Sequence, residues 1–245
     1  MDLILSSEGE NQITKHSILI TGSNRGLGLE WVRQYASDNW RVYATCRFPE
    51  QADDLQAVAQ IHQNVSVHPM DVTKTDQLLT VADIVEGPID ILVNNAGVYH
   101  ERWGKDPLGQ INYADWQHTF DVNTLGPMRV CEQFATHVAQ SQNRLIVAIT
   151  SHMGSIADIS SANDYAYRSS KAALNAAMKG LSVDLSRRNT GVLLLHPGWV
   201  RTRMGGESAP LSPTQSVACM RKIIAGFNMT QSGHFYRYDG SEIPW

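Results

Sequence analysis

The chain has 245 residues, of which 42% are hydrophobic and 18% are charged, and its formal net charge is −4. This composition is typical of a globular protein with a sizeable core, and the small negative charge gives no electrostatic case for binding nucleic acid or an anionic membrane. No apolar run reaches about 18 residues, so the sequence predicts no membrane-spanning helix.

Short apolar runs alternate with amphipathic segments along the chain. The sequence predicts strands over 18–20, 41–46, 65–70, 89–93, 144–150, 191–196 and 235–238. It predicts a helix from Leu27 and further helices over 50–63, 74–86, 115–140 with a kink at Pro127, 164–188 and 214–227. Alternating strands and helices imply parallel strands joined by right-handed crossovers. We therefore predict one α/β domain over residues 1–245, a doubly wound Rossmann domain with a mostly parallel seven-stranded sheet and helices on both faces.

The connection after the first strand is rich in glycine, with Gly22, Gly26 and Gly28. Glycines at the start of a helix let a phosphate approach the free N–H groups closely. The spacing differs from the standard dinucleotide fingerprint, so a tight turn without a ligand stays open on this evidence alone. The cofactor-binding interpretation covers Gly22, Ser23, Asn24, Arg25, Gly26, Leu27 and Gly28.

The end of the second strand indicates which dinucleotide would bind. A protein that binds NAD would place an acid there, about 20 residues beyond the glycines, to hold the ribose 2′-hydroxyl. This chain has Arg47 at that place, and Arg25 lies within the glycine turn. Two guanidinium groups suit a 2′-phosphate, whereas two solvated surface arginines are the alternative. The sequence therefore favours NADP(H).

Polar or small residues follow the other strands, at the edge where ligands of such sheets bind. Asp71, followed by Val72, could accept a hydrogen bond from the adenine amino group or cap the next helix, and both interpretations stay open. The amides at 94–95 could bridge neighbouring strands. The further cofactor-binding candidates are Asn95, Ala96 and Gly97 after the fourth strand, and Pro197, Gly198, Val200 and Thr202 after the sixth, with the Thr202 hydroxyl available to a nicotinamide carboxamide.

Tyr167 and Lys171 are four residues apart in a predicted helix, so they share one face. A free tyrosine has a pKa of about 10. A nearby positive charge lowers that pKa and makes the phenol a usable acid or base near neutral pH. A lone Tyr-x-x-x-Lys also occurs often by chance, so the spacing alone leaves a purely structural pair open.

Four motifs occur together in order: the glycine turn over 21–28, Asn-Asn-Ala-Gly over 94–97, Tyr-x-x-x-Lys over 167–171, and Pro-Gly at 197–198. Together they resemble the short-chain dehydrogenase/reductase family over nearly the whole chain. Within that family, the stretches 165–175, 196–202, 204–206 and 239–245 are similar to the C-factor and sniffer-type carbonyl reductases.

The resemblance implies roles for individual residues. Tyr167 would donate the proton to a carbonyl, and Lys171 would lower its pKa and bind the nicotinamide ribose. Ser151 would hold the substrate oxygen, and Asn123 would anchor its helix and a proton-relay water. The distance from Ser151 to Tyr167 is longer than is usual in the family, which leaves Ser155 as a second candidate. Tyr165 lacks an ammonium group four residues on, so Tyr167 is preferred.

The implied function is NADPH-dependent reduction of an aldehyde or ketone, with a small carbonyl or alcohol as substrate. Because C-factor proteins are linked to cell–cell signalling, the alternative is a regulatory protein that binds NAD(P) with little turnover. A complete set of Asn123, Ser151, Tyr167 and Lys171 favours catalysis, since binding alone needs no tyrosine acid.

The remaining expectations concern assembly and surroundings. The helices over 115–140 and 164–188 carry apolar residues on more than one side, as at Val183, and the family pairs these helices, so we expect a homodimer or homotetramer. The segment 203–213 is too short and too rich in Gly and Pro for a lid helix, so we expect an open, broadly specific pocket with Trp199 and Met204 as an apolar wall.

Cysteine usage indicates the compartment. Cys46, Cys131 and Cys219 are odd in number and far apart, which favours a reducing cytoplasm over a disulfide framework. The residues 1–6 lack the features of a signal peptide and are expected to lead into the first strand. No grouping of metal-ligand residues has the spacing of a metal site.

Overall fold

The computed structural model describes residues 16–101 and 107–245. The expectation for residues 1–6 lies outside them. The strands are β1 (Ser17–Thr21), β2 (Arg41–Cys46), β3 (Val65–Pro69), β4 (Ile91–Asn94), β5 (Leu145–Ile149), β6 (Gly191–His196) and β7 (Phe235–Arg237). The helices are α1 (Gly26–Ser37), α2 (Asp53–Ile61), α3 (Thr75–Ile84), α4 (Tyr113–Phe120), α5 (Gly126–Ala139), α6 (Tyr165–Ser186) and α7 (Pro213–Ala225).

The strands form one parallel sheet in the order β3-β2-β1-β4-β5-β6-β7. The chain starts in the middle of the sheet, builds outward to β3, and then crosses to the other side of β1 at β4. The loops after β1 and β4 therefore diverge and leave a crevice between them, which is where ligands bind in open α/β sheets. The predicted fold class and strand content are confirmed.

The sheet is buried on both faces, which explains why its central strands have no polar side. Ile18 and Ile20 of β1 pack into one apolar cluster with α1, α2 and α7, and Leu19 between them packs into the other cluster with α3, α5 and α6. All three side chains are fully buried. Alternate residues of a strand point to opposite faces, so a strand covered on both sides must be apolar throughout.

The predicted kink at Pro127 takes a different form. The helical segment runs from α4 into α5 through a π-helical turn, Asp121–Leu125, that precedes the proline. In this turn the Gly126 N–H donates to the carbonyl of Asp121, five residues back. Because proline has no N–H group, the carbonyl four residues before it, that of Asn123, loses its helical donor. The carbonyl that lacks a donor therefore lies within the π turn, because Asn123 is one of the residues of that turn.

Another predicted helix is divided. The residues over 50–63 form a short 3₁₀ turn, Pro49–Gln51, followed by α2, because Ala52 between them has φ −109° and ψ 60°, outside the helical region. In the part of the chain that the structure describes, no helix combines the length and the apolar character needed to cross a membrane.

Candidate active site

A cavity of about 530 Å³ lies at the crevice between the β1 and β4 loops. Most of the predicted cofactor-binding residues line it: Gly22, Asn24, Arg25, Gly26, Leu27, Arg47, Asp71, Val72, Asn95, Ala96, Gly97, Tyr167, Lys171, Pro197 and Thr202. Six predicted site residues do not line it: Ser23, Gly28, Gly198 and Val200 of the cofactor-binding set, and Asn123 and Ser151 of the catalytic set. Ser23 is fully buried and its hydroxyl donates to the carbonyl of Ile20 at 2.8 Å, so its side chain serves the turn itself.

The glycine turn is shaped by close packing against β4. Gly22 has φ +68°, and a Cβ there would lie 2.9 Å from the Cα of Ala96. A Cβ on Gly28 would lie 2.0 Å from the carbonyl oxygen of Gly22. Gly28 therefore lets α1 pack closely against the end of β1, and it does not line the cavity. Only glycine fits at these two positions.

The start of α1 leaves its first N–H groups available to the cavity. Arg25 precedes the helix in an extended conformation and makes no side-chain capping bond, and the first turn of α1 contains no acidic residue. Gly26 and Leu27 of that turn line the cavity. The first N–H groups of a helix have no partner within it and carry partial positive charge, so this end of the cavity suits an anion.

Asn95 joins the loop after β4 to the glycine turn. Its side-chain nitrogen donates to the carbonyls of Thr21 and Gly22 at 2.9 and 3.1 Å, and its backbone N–H donates to the Thr21 hydroxyl at 3.0 Å. The expectation that an amide bridges neighbouring strands is confirmed. These bonds hold the two walls of the crevice at a fixed separation.

Three guanidinium groups line one part of the cavity, those of Arg25, Arg47 and Arg203. Partial burial lowers the pKa of Arg25, and the positive charges of Arg203 and Arg47 lower it further. Three like charges around one space favour an anion of high charge. Arg203 was not among the predicted site residues, although a basic residue directly after Thr202 in the loop beyond β6 was a usable signal.

The structure excludes one of the two interpretations of Asp71. The helix α3 begins at Thr75 with Lys74 as its capping position and no side-chain capping bond, so Asp71 is not the cap. Its carboxylate accepts from the N–H and the hydroxyl of Thr73 at 2.9 and 2.8 Å, in a local turn. The capping interpretation is wrong, because Asp71 lies four residues before the helix. The adenine contact stays a prediction for a residue that lines the cavity.

Tyr167 and Lys171 lie one turn apart on α6, and both are buried. The Lys171 ammonium donates to the carbonyl of Ile149, at the end of β5, at 3.0 Å. The same nitrogen lies 5.9 Å from the centre of the Tyr167 ring. The hydroxyl of Tyr167 lies 4.0 Å from the sulfur of Met204. The predicted shared face of the helix is confirmed.

The expected lowering of the Tyr167 pKa is not found. Burial raises the pKa of Tyr167 to about 12, and a hydrogen bond with Ser151 opposes that shift without overcoming it. Burial also lowers the pKa of Lys171 to about 8. Removal from water disfavours the charged form of each group, which raises the pKa of the phenol and lowers that of the ammonium.

Ser151, and not Ser155, reaches the phenol of Tyr167. Ser151 is buried at the start of a 3₁₀ turn, His152–Gly154, and its hydroxyl also accepts from the N–H of Met153 at 3.2 Å. The Ser155 hydroxyl instead lies 3.4 Å from the carbonyl of Trp245 and accepts from the N–H of Asp158. The contacts favour Ser151 as the polar neighbour of the candidate acid.

Asn123 is fully buried in the π turn and connects three elements. Its side-chain oxygen accepts from the N–H of Val98 at 2.8 Å. Its side-chain nitrogen donates to the carbonyl of Val98 at 2.9 Å and to the hydroxyl of Ser170 at 3.1 Å. Asn123 therefore fixes the loop after β4 against α6, on which Tyr167 lies.

The segment between β6 and α7 forms turns tied to one another. The Trp199 indole N–H donates to the carbonyl of Gly205 at 2.7 Å, and Val200 pairs with Leu211. The Thr202 hydroxyl accepts from the N–H of Gly205 at 3.1 Å. Met204 lines the cavity, but Trp199 is half exposed and does not, so only one of the two expected apolar wall residues is in place.

Comparison with known proteins agrees with this geometry. The model of the short chain dehydrogenase family matches residues 16–211. The C-signal protein of Myxococcus xanthus is 44% identical over 163 residues, which is 66% of this chain and 96% of that protein.

Two solved structures resemble the whole sheet and its helices. The carbonyl reductase Sniffer of D. melanogaster is 34% identical with a TM-score of 0.87, over 94% of this chain and 100% of that one. The NADPH-bound carbonyl reductase from chicken fatty liver is 28% identical with a TM-score of 0.88, over 94% of this chain and 99% of that one.

Proposed function

The chain belongs to the short chain dehydrogenase family of oxidoreductases, and from that premise we propose that it is an NADPH-dependent reductase of aldehydes and ketones. The observation that carries this proposal is a buried tyrosine phenol, one helical turn from the buried Lys171, at the wall of a cavity that three arginines also line. Similarity to an NADPH-bound carbonyl reductase supports it.

The residues of the cavity fit NADPH. The uncapped start of α1, with Gly26 and Leu27 facing the cavity, offers N–H donors to the pyrophosphate. Arg25, Arg47 and Arg203 would hold the 2′-phosphate, where an acid would repel it. Bound NADPH supplies a hydride for the carbonyl carbon.

The roles of the remaining groups follow from their contacts. Ser151 would hold the carbonyl oxygen beside the hydroxyl of Tyr167, and Tyr167 would donate its proton to that oxygen. Lys171 would then stabilise the phenolate that remains, because its ammonium is held near the ring by the carbonyl of Ile149. Asn123 would hold the loop after β4 against α6 through its side-chain hydrogen bonds.

The raised pKa of Tyr167 suits the phenol to the role of proton donor in the reduction. With a pKa of about 12 the phenol is protonated at neutral pH and is ready to act as an acid. Oxidation of an alcohol would need the phenolate, which burial disfavours. The same burial that contradicts the expected pKa shift therefore supports the proposed role of Tyr167 as an acid.

The pH dependence of reduction should follow Lys171. The phenol stays protonated up to about pH 12, whereas the ammonium of Lys171, with a pKa of about 8, is lost first as the pH rises. We expect the rate of reduction to be constant at lower pH and to fall as the pH rises through about 8. Lys171→Arg keeps its charge across this range and should shift the fall to higher pH. A profile of kcat against pH that falls near about 6.5, where histidine titrates, would contradict this assignment.

The pocket predicts broad substrate specificity. The loop between β6 and α7 forms short turns without a helix, so it covers little of a substrate. We expect NADPH-dependent turnover of aliphatic and aromatic carbonyls, with kcat/KM values within a few orders of magnitude of one another. The measurement is kcat/KM across aliphatic, aromatic and steroid-sized ketones. A preference for one substrate by more than about 10⁴-fold would indicate a closed site built for one ligand.

The similarity to C-signal favours one alternative function. A signalling protein that binds NAD(P) without turnover would keep the arginines and the glycine turn and would need no proton donor. The same panel separates the two, since such a protein would bind NADPH and reduce none of the carbonyls.

We also propose that the chain forms a homodimer or homotetramer. Leu125 in the π turn and Val183 on α6 are exposed apolar side chains, and they lie on the two predicted helical segments, 115–140 and 164–188. Burial against a second copy would remove them from water. Light scattering at micromolar concentration should give at least twice the monomer mass, and a monomeric mass would reject the proposal.

A further inference from the structure

The helix that carries Tyr167 has no cap of its own. Its capping position, Asp164, has φ 58° and ψ 35°, a left-handed conformation in which its side chain makes no capping bond. The carboxylate of Asp164 instead accepts from the hydroxyl of Tyr99 at 2.6 Å. The first N–H groups of α6, including that of Tyr167 itself, therefore need acceptors from outside the helix.

Glu101 supplies those acceptors. One carboxylate oxygen accepts from the N–H of Ala166 at 2.9 Å, and the other accepts from the N–H of Tyr167 at 2.8 Å. The side chain is buried, with 2% of its surface exposed. Glu101 lies 66 residues before Tyr167 in sequence, on the loop after β4. A negative charge at this place also interacts favourably with the positive end of α6.

The same loop contacts the ring of Tyr167. The Tyr99 ring stacks on it, with the ring centres 4.3 Å apart and the planes 29° from parallel. Tyr99 also lines the cavity. Two bonds between Asn123 and the backbone of Val98 fix the base of the loop. The loop therefore holds both the backbone and the ring of the candidate acid.

We propose that Glu101 is a positioning residue for Tyr167, which sets the place of the phenol by fixing the first turn of α6 through its backbone. This inference rests on the proposed role of Tyr167 as proton donor. An ordinary cap at Asp164 would stabilise the helix equally well. A bidentate carboxylate from the loop that lines the cavity also ties the position of the tyrosine to the wall of the site.

Replacement of Glu101 by Gln tests this proposal. The amide keeps one acceptor oxygen but turns an NH₂ group toward the other backbone N–H, so one bond is lost. Small displacements of a reacting group cost up to about 10²-fold in rate, and we expect kcat to fall at least about tenfold while the Kd for NADPH changes less than about twofold. Glu132→Gln, at an exposed position on α5, is the matched control and should leave both unchanged.

A double variant separates positioning from stability. If Glu101 acts through Tyr167, adding Glu101→Gln to Tyr167→Phe should cause no further loss of residual activity. A role in stability alone predicts a lower Tm with an unchanged kcat for the folded fraction, and that result would overturn the proposal. Glu101→Asp keeps the charge with a shorter reach and should give an intermediate kcat, which provides a second variant if the glutamine variant does not fold.

Amide hydrogen exchange tests the inference without any substrate. In the NADPH-bound protein, Glu101→Gln should speed exchange at Ala166 and Tyr167, and Glu132→Gln should not. If no carbonyl is reduced by the wild type, the proposed function fails, and the exchange result still decides whether Glu101 fixes this turn. Equal exchange in all three proteins, or an unchanged kcat in folded Glu101→Gln, would contradict the proposal.

Discussion

Tyr167→Phe should abolish nearly all carbonyl reduction and leave NADPH binding nearly intact. The substitution removes one oxygen and keeps the ring, which packs against Tyr99 with the ring centres 4.3 Å apart. Without the hydroxyl, the carbonyl oxygen that Ser151 holds has no proton donor. The loss of a general acid typically costs about 10²-fold or more, so we expect at least that fall in kcat at constant NADPH affinity.

Tyr165→Phe is the matched control for this variant. Tyr165 lies two residues earlier on α6, where its ring stacks with that of Trp116 and does not line the cavity. It should keep the wild-type rate. Reduction of every substrate at the wild-type rate by Tyr167→Phe would show that another group donates the proton.

NADPH should bind at least tenfold more tightly than NADH, a difference of about 1.4 kcal/mol. Arg25 and Arg47 both line the cavity; burial lowers the pKa of Arg25, and repulsion from the charges of Arg203 and Arg47 lowers it further. The 2′-phosphate of NADPH relieves this repulsion, whereas the 2′-hydroxyl of NADH does not. Reversing both charges, with Arg25→Glu and Arg47→Glu, should therefore weaken NADPH and leave NADH almost unchanged.

Titration of each dinucleotide by fluorescence or calorimetry measures this preference. Arg187→Glu combined with Arg188→Glu, at exposed positions just beyond α6, changes the net charge equally and should leave the ratio of the two affinities unchanged. Arg203→Gln should weaken NADPH as well, because Arg203 lines the same region. Equal affinities of the wild type for the two dinucleotides, or a preference for NADH, would reject NADP(H) as the cofactor.

The fold was predictable because burial on both faces leaves a strong signal. All seven strands begin and end within two residues of their predicted bounds. A short, fully apolar run such as 192–195 is typical of a strand that is buried on both faces of a parallel sheet. The glycine turn was predictable for a similar reason. Gly22 and Gly28 occupy positions where any Cβ would collide with backbone.

Features that depend on distant partners were not predictable. Glu101 carries no local signal, because its role comes from two N–H groups on a helix that begins 64 residues later. The predicted lowering of the Tyr167 pKa was wrong for the same reason. The sequence shows that Lys171 is near, but it does not show how deeply both side chains are buried. Aspartate is a common helix-capping residue, but α3 starts four residues after Asp71.

Transfer of deuterium tests the central proposal most directly. NADPH with deuterium in place of both hydrogens at C4 would be incubated with the wild type and a small aldehyde or ketone, and the products analysed by mass spectrometry. The proposed function predicts one alcohol for each NADPH consumed, with one deuterium on the former carbonyl carbon, and about 10²-fold less labelled alcohol from Tyr167→Phe in the same time. Binding of NADPH by the wild type without any labelled alcohol across the substrate panel would contradict it.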